Sequence, residues 1–220
     1  VLVNPFTENV TLQVNPIYIA GRYRKLVRGI PQSKWVCNKC RGKGCSRCNW
    51  TGKMYPESVE EIVGAPTLKA TEGEDIAFHG AGREDVDARM LGHGRPFIIE
   101  VKKPKKRFID LHVLAEKINE EAAGKVNVSG LRLADKDMVR RLKKSEAAQK
   151  LYRATIEFDK PVSDEQLSML EKALTNVVVR QQTPRRVLHR RADVVREKHI
   201  YEAKVKRLKP NLIETRIRCQ

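Results

Sequence analysis

The sequence predicts an α+β protein: a mixed, largely antiparallel sheet with packed helices, plus a small four-cysteine knuckle. Three observations lead there. From residue 74 onward, strand-like and helix-like segments interleave along the chain. The hairpin-like connections are too short for the crossovers that parallel pairing needs. Near the end, two alternating segments flank Lys209-Pro210-Asn211, the pattern of a β-hairpin.

The elements follow in order. Residues 9–20 (NVTLQVNPIYIA) alternate apolar and polar up to Pro16 and read as a strand with a break or bulge. Residues 21–35 are basic, end near Pro31 and read as a surface loop. After the cysteines come Pro56 and a short helix around Ser58–Val63, with Ser58 as its N-cap. EDIAFHG is a strand leading into a glycine turn, and RPFIIEVKK is the next strand. Asp110 to Ala123 has helical spacing at Leu111, Leu114, Ala115 and Ile118, with Gly124 placed to cap its end. VNVSGLRL reads as extended, Asp135–Gln149 as helical, and LYRATIEF as a strand rich in β-branched and aromatic residues. Ser163 and Gln166 have capping-box spacing for a helix over 164–174. NVVVRQQ is then a short strand ended by Thr183-Pro184, and HIYEAKVKRL and LIETRIRC form the terminal hairpin.

Lys and Arg number 44 against 27 Asp and Glu, a net charge of +17 with a pI near 9.9. Such a surface favours an acidic partner, and nucleic acid is the default candidate. No run of about 18 apolar residues exists, which excludes a helical membrane span. No basic amphipathic helix suggests a membrane surface. The first residues carry no signal-peptide pattern, so a cytoplasmic protein is expected. The cysteines agree: four of five fall between Cys37 and Cys48, a metal spacing rather than a disulfide framework.

Cys37-x2-Cys40-x4-Cys45-x2-Cys48 supplies four soft ligands in two tight pairs, and Gly42 and Gly44 let the chain fold back between them. Four thiolates suit a tetrahedral Zn2+ in a closed, structural site, with iron the minor alternative. Arg41, Lys43, Arg47, Lys53 and Trp50 surround the ligands, a set able to touch RNA. For Trp50, packing and RNA contact are both open. Cys-x2-Cys-x-Gly-x-Gly also resembles half of a DnaJ-type cysteine-rich repeat, but no second half follows.

One acid stands out in this basic chain. Asp85 ends a Gly-Arg-x-Asp turn, Gly82-Arg83-Glu84-Asp85, after Gly80-Ala81. The glycines permit a sharp turn that presents the carboxylate at a sheet rim, and Arg83 or Arg89 is placed to keep it ionised. Asp87 is the rival acid two residues on.

The run Gly82–Leu91 and the following Gly92-His93-Gly94-Arg95-Pro96-Phe97 resemble the catalytic loop of pseudouridine synthases. The subfamily resembled is the archaeal and eukaryotic tRNA pseudouridine synthase acting on T-loop uridines 54 and 55. Asn15–Tyr23, Tyr55–Glu61, Gln182–Arg191 and the cysteine knuckle add to the likeness, which spans nearly the whole chain. It implies that Asp85 is the catalytic aspartate in a reaction that cleaves the glycosidic bond of uridine, turns the base and rejoins it through carbon. It implies tRNA (its T-loop and arm) as partner, with no small-molecule substrate, no membrane, and no redox or nucleotide cofactor; Zn2+ in the knuckle would be structural. Tyr152 matches the family's strand tyrosine, which would stack on the flipped uracil. Arg83 would orient Asp85 or hold a phosphate. Lys102, Lys103, Arg185, Arg186, Arg190 and Arg191 would contact RNA, and His189 has no claim to catalysis. The implied organisation is a first part of the catalytic domain at 1–36, the knuckle at 37–52 and the synthase core at 53–220. A third catalytic segment after a strand like 212–219, and an N-terminal RNA-binding domain, lie outside this sequence. A catalytic-domain fragment is therefore expected, with activity belonging to the longer protein. The competing class is a non-catalytic zinc-containing RNA-binding module.

Overall fold

A computed structural model describes the backbone at residues 2–3 and 10–11, and residues 13–144, 149–185, 188 and 192–220. The chain divides into two compact units, Val1–Glu146 and Ala147–Gln220.

In the first unit, β1 (Leu2–Val3) and β2 (Val10–Thr11) form a small antiparallel ribbon. The main sheet contains β3 (Ile17–Lys25), β4 (Asp75–Gly80), β5 (Met90–Lys102) and β6 (Val126–Ala134), in the order β4-β5-β3-β6, every pair antiparallel. Helices α1 (Val59–Thr71) and α2 (Leu111–Glu121) cover one face. Val59 and Val63 of α1 and Leu114 and Ile118 of α2 close over Ile19, Tyr23, Phe97, Ile99 and Val101. The opposite face packs Ala20 and Ile98 against Val139 of α3 (Lys136–Lys144). Because the central strand β5 is covered on both sides, its sequence reads Phe97-Ile98-Ile99 without alternation.

Three elements differ from expectation. Of the helix expected over Asp135–Gln149, α3 covers Lys136–Lys144, residues 145–148 lie outside the described residues and Gln149 is not helical. Residues 21–25 continue β3 instead of forming a surface loop, and Lys25 is fully buried. The basic density of Arg22, Arg24 and Lys25 hides a strand alternation in which Tyr23 and Lys25 point inward and the arginines outward. Helix α1 does not stop at Val63 but runs through Pro66 to Thr71. Pro66 lacks the N–H that a helix interior uses; burial of Val59, Val63, Pro66 and Thr67 along one stripe outweighs that loss. Ser58 is the N-cap, its hydroxyl accepting from the Glu61 amide at 3.2 Å.

The second unit is a sheet of order β7-β10-β9-β8, formed by β7 (Lys150–Glu157), β8 (Val177–Gln182), β9 (Val195–Lys209) and β10 (Leu212–Cys219), again wholly antiparallel. Helix α4 (Asp164–Leu174) starts at the expected Ser163–Gln166 capping box and buries Leu167. Ala203 and Ile213 are the buried apolar residues of the sheet, and Pro210-Asn211 makes the turn between β9 and β10. The α+β, antiparallel expectation holds, with the strands shared between two sheets. No helix among the described residues is long and apolar enough to cross a membrane.

Candidate active site and metal centre

The turn that carries Asp85 joins β4 to β5, and it is fastened from beneath. Gly82 takes a left-handed backbone (φ 74), so the chain reverses after Gly80 as its glycines imply. Beyond Arg83, two consecutive side chains part company. Glu84 goes inward, with 5% of its side chain exposed, while Asp85 is exposed. Glu84 Oε2 accepts from the Tyr23 hydroxyl at 2.7 Å and from Arg95 Nε at 2.8 Å. Its Oε1 has no hydrogen bond among the described residues and lies 3.9 Å from Lys25 Nζ. Gln32 donates to the Tyr23 hydroxyl (2.8 Å) and to the Gly82 carbonyl (3.0 Å), and Arg95 donates to the Ala81 carbonyl at 2.6 Å.

Lys25 completes the clamp. Its ammonium donates to the carbonyls of Ile30 (2.8 Å), Asp85 (2.8 Å) and Val86 (3.3 Å). Burial lowers the Lys25 pKa from the usual lysine range, against the opposing charges of Glu84 and Asp87. Burial and the Glu84 carboxylate push the Tyr23 phenol far above its usual value. A buried cation spending its donors on loop carbonyls fixes the backbone of Asp85 and leaves its carboxylate facing solvent. Asp85 Oδ1 accepts from the Val86 amide at 3.2 Å, and its carbonyl also accepts from Ala88 at 3.2 Å.

Arg83 lies over the ring of Trp35, 5.4 Å from its centroid, and Trp35 packs edge-on against Tyr55 at 5.3 Å. Trp35 and Tyr55 belong to the stem of the knuckle, where Val36 pairs with Lys53 and the Met54 amide bonds Trp35. Arg83 thus ties the acidic turn to the cysteine knuckle.

In the knuckle, the four sulfurs lie within 4.8 Å of one another. Three pairs are 3.7, 3.8 and 3.9 Å apart. Four thiolates about 2.3 Å from one ion stand roughly 3.8 Å apart at the edges of a tetrahedron, so the set fits a single tetrahedral ion. Gly42 and Gly44 both take φ 92, the fold-back expected between the pairs. The amides of Cys45 and Gly52 point at Cys48 Sγ, each at 3.3 Å. Burial raises the Cys48 thiol, but these amide donors outweigh it and bring it down to about 6, which favours the thiolate that a metal needs. Trp50 is 76% exposed, which answers its open role against packing.

Lys102 and Lys103 stand at the far end of the β4–β5 hairpin from Asp85, paired with Asp75 (2.7 Å) and Glu74 (2.8 Å). Tyr152 belongs to the second unit, on edge strand β7 opposite Ile217, half exposed. Arg185 is exposed just after β8, on a loop whose neck is closed by the Thr183 hydroxyl donating to Ala192 (2.9 Å) and Val194 (3.2 Å). Arg186, His189, Arg190 and Arg191 lie outside the described residues. The clamp of Tyr23, Lys25, Gln32, Glu84 and Arg95 was not anticipated. Its available signal was a lysine on the inward parity of an apolar strand.

Comparison with known proteins supplies the family. The family described as Pus10, C-terminal, matches residues 18–220, and the chain belongs to it. Among its relatives, the tRNA pseudouridine synthase Pus10 of Methanocaldococcus jannaschii is 53% identical over 218 residues, 99% of this chain and 47% of that protein. The proteins of the same name from Methanothermobacter marburgensis and Methanothrix thermoacetophila are 56% and 48% identical, over 84% and 96% of this chain and 45% and 46% of their own lengths. The chain spans about half the length of the curated relatives it matches.

Proposed function

We propose that this chain is the catalytic portion of a cytoplasmic tRNA pseudouridine synthase, with Asp85 as its catalytic carboxylate and T-loop uridines 54 and 55 as its targets. The observation that carries the reading is the clamp: an exposed aspartate whose backbone is immobilised by a buried lysine and a buried glutamate. Such positioning is what catalysis by one side chain requires. The reaction is an isomerisation. The N1–C1′ bond of uridine breaks, the base turns, a C5–C1′ bond forms, the C5 proton is lost and N1 gains one, so nothing else is consumed. A carboxylate held at the ribose or at the base suffices, with the base flipped out of its loop and Tyr152 stacked on it. Arg83, Lys102, Lys103, Arg185, Arg186, Arg190 and Arg191 serve as RNA contacts within a strongly basic surface. Cys37, Cys40, Cys45 and Cys48 hold a structural Zn2+, the knuckle at 37–52 being an insertion between 1–36 and the core at 53–220.

The test is Asp85→Asn in the full-length protein, assayed on a T-loop substrate. Pseudouridine formation should fall by about three orders of magnitude or more, with tRNA affinity within a few-fold of the parent. Undiminished product removes Asp85 from catalysis. A parent protein that binds tRNA without forming pseudouridine is instead the non-catalytic zinc-containing RNA-binding module.

A further inference from the structure

The knuckle carries a feature that neither its ligand set nor the clamp uses. Trp50 and its neighbour Asn49 both have left-handed backbones (φ 61 and 47), uncommon for a bulky residue. The Trp50 amide is held by the Cys45 carbonyl at 2.9 Å, and Gly44 packs so closely that a Cβ there would stand 2.8 Å from the Trp50 carbonyl oxygen. The backbone of Trp50 is therefore fixed to the cysteine cluster while its indole projects into solvent. Within 37–52 Trp50 is the only apolar side chain besides the cysteines, and residues 33–56 contain no Asp or Glu. Lys39, Arg41, Lys43 and Arg47 are exposed, and no salt bridge is made by any of them among the described residues. Lys53, by contrast, is held by Glu61 at 2.8 Å.

We infer that the knuckle tip is an RNA-binding surface in its own right, Trp50 stacking on one unpaired base while Arg41, Lys43 and Arg47 take the neighbouring phosphates. A flat, rigid, exposed ring among cations is the chemistry that single-stranded nucleic acid recognises, because every base offers a π-face. A base pair inside a duplex hides that face. A bilayer would want more apolar area than one indole, and an acidic protein would use the cations without the ring. The Arg83–Trp35 contact joins this module to the turn bearing Asp85, so it grips the same RNA whose uridine is converted. That last step rests on the proposed function; the binding surface does not.

Binding and conversion are measured separately on the full-length, metal-loaded protein, with unmodified tRNA and short unstructured and duplex RNAs as probes. Trp50→Ala is expected to weaken affinity for tRNA and unstructured RNA about 5- to 100-fold, as loss of one stacked base implies, with metal content unchanged. Trp50→Phe should retain most of the affinity. Unstructured RNA should quench tryptophan emission in the parent and much less in Trp50→Phe. Replacing Arg41, Lys43 and Arg47 together by Gln should reduce the slope of log affinity against log salt by about 2. Affinity within twofold of the parent in Trp50→Ala, absence of quenching, or preference for duplex RNA or for anionic vesicles overturns the inference. Quenching with no pseudouridine formed supports the surface while removing the enzyme reading.

Discussion

The ammonium of Lys25 stands 2.8 Å from the carbonyl oxygen of Asp85 and 3.9 Å from the carboxylate of Glu84, with no exposed surface of its own. One buried cation therefore serves both the backbone of the exposed acid and the side chain of the acid before it. Lys25→Met should cost about 3 kcal/mol of stability, because it removes one partner of a buried pair. Release of the Asp85 carbonyl should lower the single-turnover rate about 100-fold, with tRNA affinity little changed. Adding Glu84→Gln should return part of the stability without restoring the rate. Urea unfolding and rapid-quench assays check the two arms; an unaltered rate in Lys25→Met would show that the clamp does not position Asp85.

Metal removal should be felt beyond the knuckle. Stripping the ion with a chelator should loosen the 37–52 segment and, through Trp35 and Arg83, alter tryptophan emission and slow the reaction. Gly52→Ala should mimic this mildly, since its backbone is left-handed (φ 71) and a Cβ there would collide with the Gly42 carbonyl oxygen. Metal content after exhaustive dialysis, followed by emission spectra, is the measurement. Full metal retention in Gly52→Ala would contradict this packing.

Asp110 caps α2 by accepting from the amides of Val113 (3.1 Å) and His112 (2.8 Å). These bonds hold its pKa below the ordinary value of 3.8. A folded pKa below the unfolded one means the contribution is present above the ordinary value and lost as pH falls through the lowered one. Asp110→Asn keeps a capping oxygen but cannot titrate. Acid unfolding followed by circular dichroism should show a shallower pH dependence in the variant around and below 3.8. Identical curves would exclude the cap as a contributor.

Thr183→Val removes the hydroxyl that closes the neck of the arginine-bearing loop. The amide of Val194 and the guanidinium of Arg196 also lose their acceptor there, at 3.3 and 3.0 Å. Limited proteolysis should cut between residues 184 and 193 at least several-fold faster, with the rest of the second unit intact. Unchanged cutting would mean that this hydroxyl does not hold Thr183 to Ala192 and Val194.

Elements with local chemistry were legible in the sequence: the Ser163–Gln166 box, the Ser58 cap, the hairpin at Pro210-Asn211 and the cysteine spacing all encode their own geometry. Residues 21–25 were misread because charge density suggested a surface, while the parity of Ile17, Ile19, Tyr23 and Lys25 pointed inward. The clamp was out of reach for another reason. Tyr23 meets Glu84 because β3 pairs with β5 and sets Tyr23 beside Arg95, a long-range register that no local pattern carries. The division of the strands between two sheets was hidden likewise, since alternation shows that a strand exists and not which strand it joins.

Glu84 and Asp85 are consecutive, yet one side chain lies among Tyr23, Lys25 and Arg95 and the other faces solvent. The turn therefore counts in odd and even. Deleting Ala81 would retain both acids, both cations and the same net charge, but counted from Gly80 it would shift Asp85 into the place of Glu84. Asp85 would enter the cation pocket, one methylene short of filling it, and Val86 would take the outward position with no carboxylate to offer. Identity of the acids is not enough to make this turn; its length is as much a determinant as its chemistry.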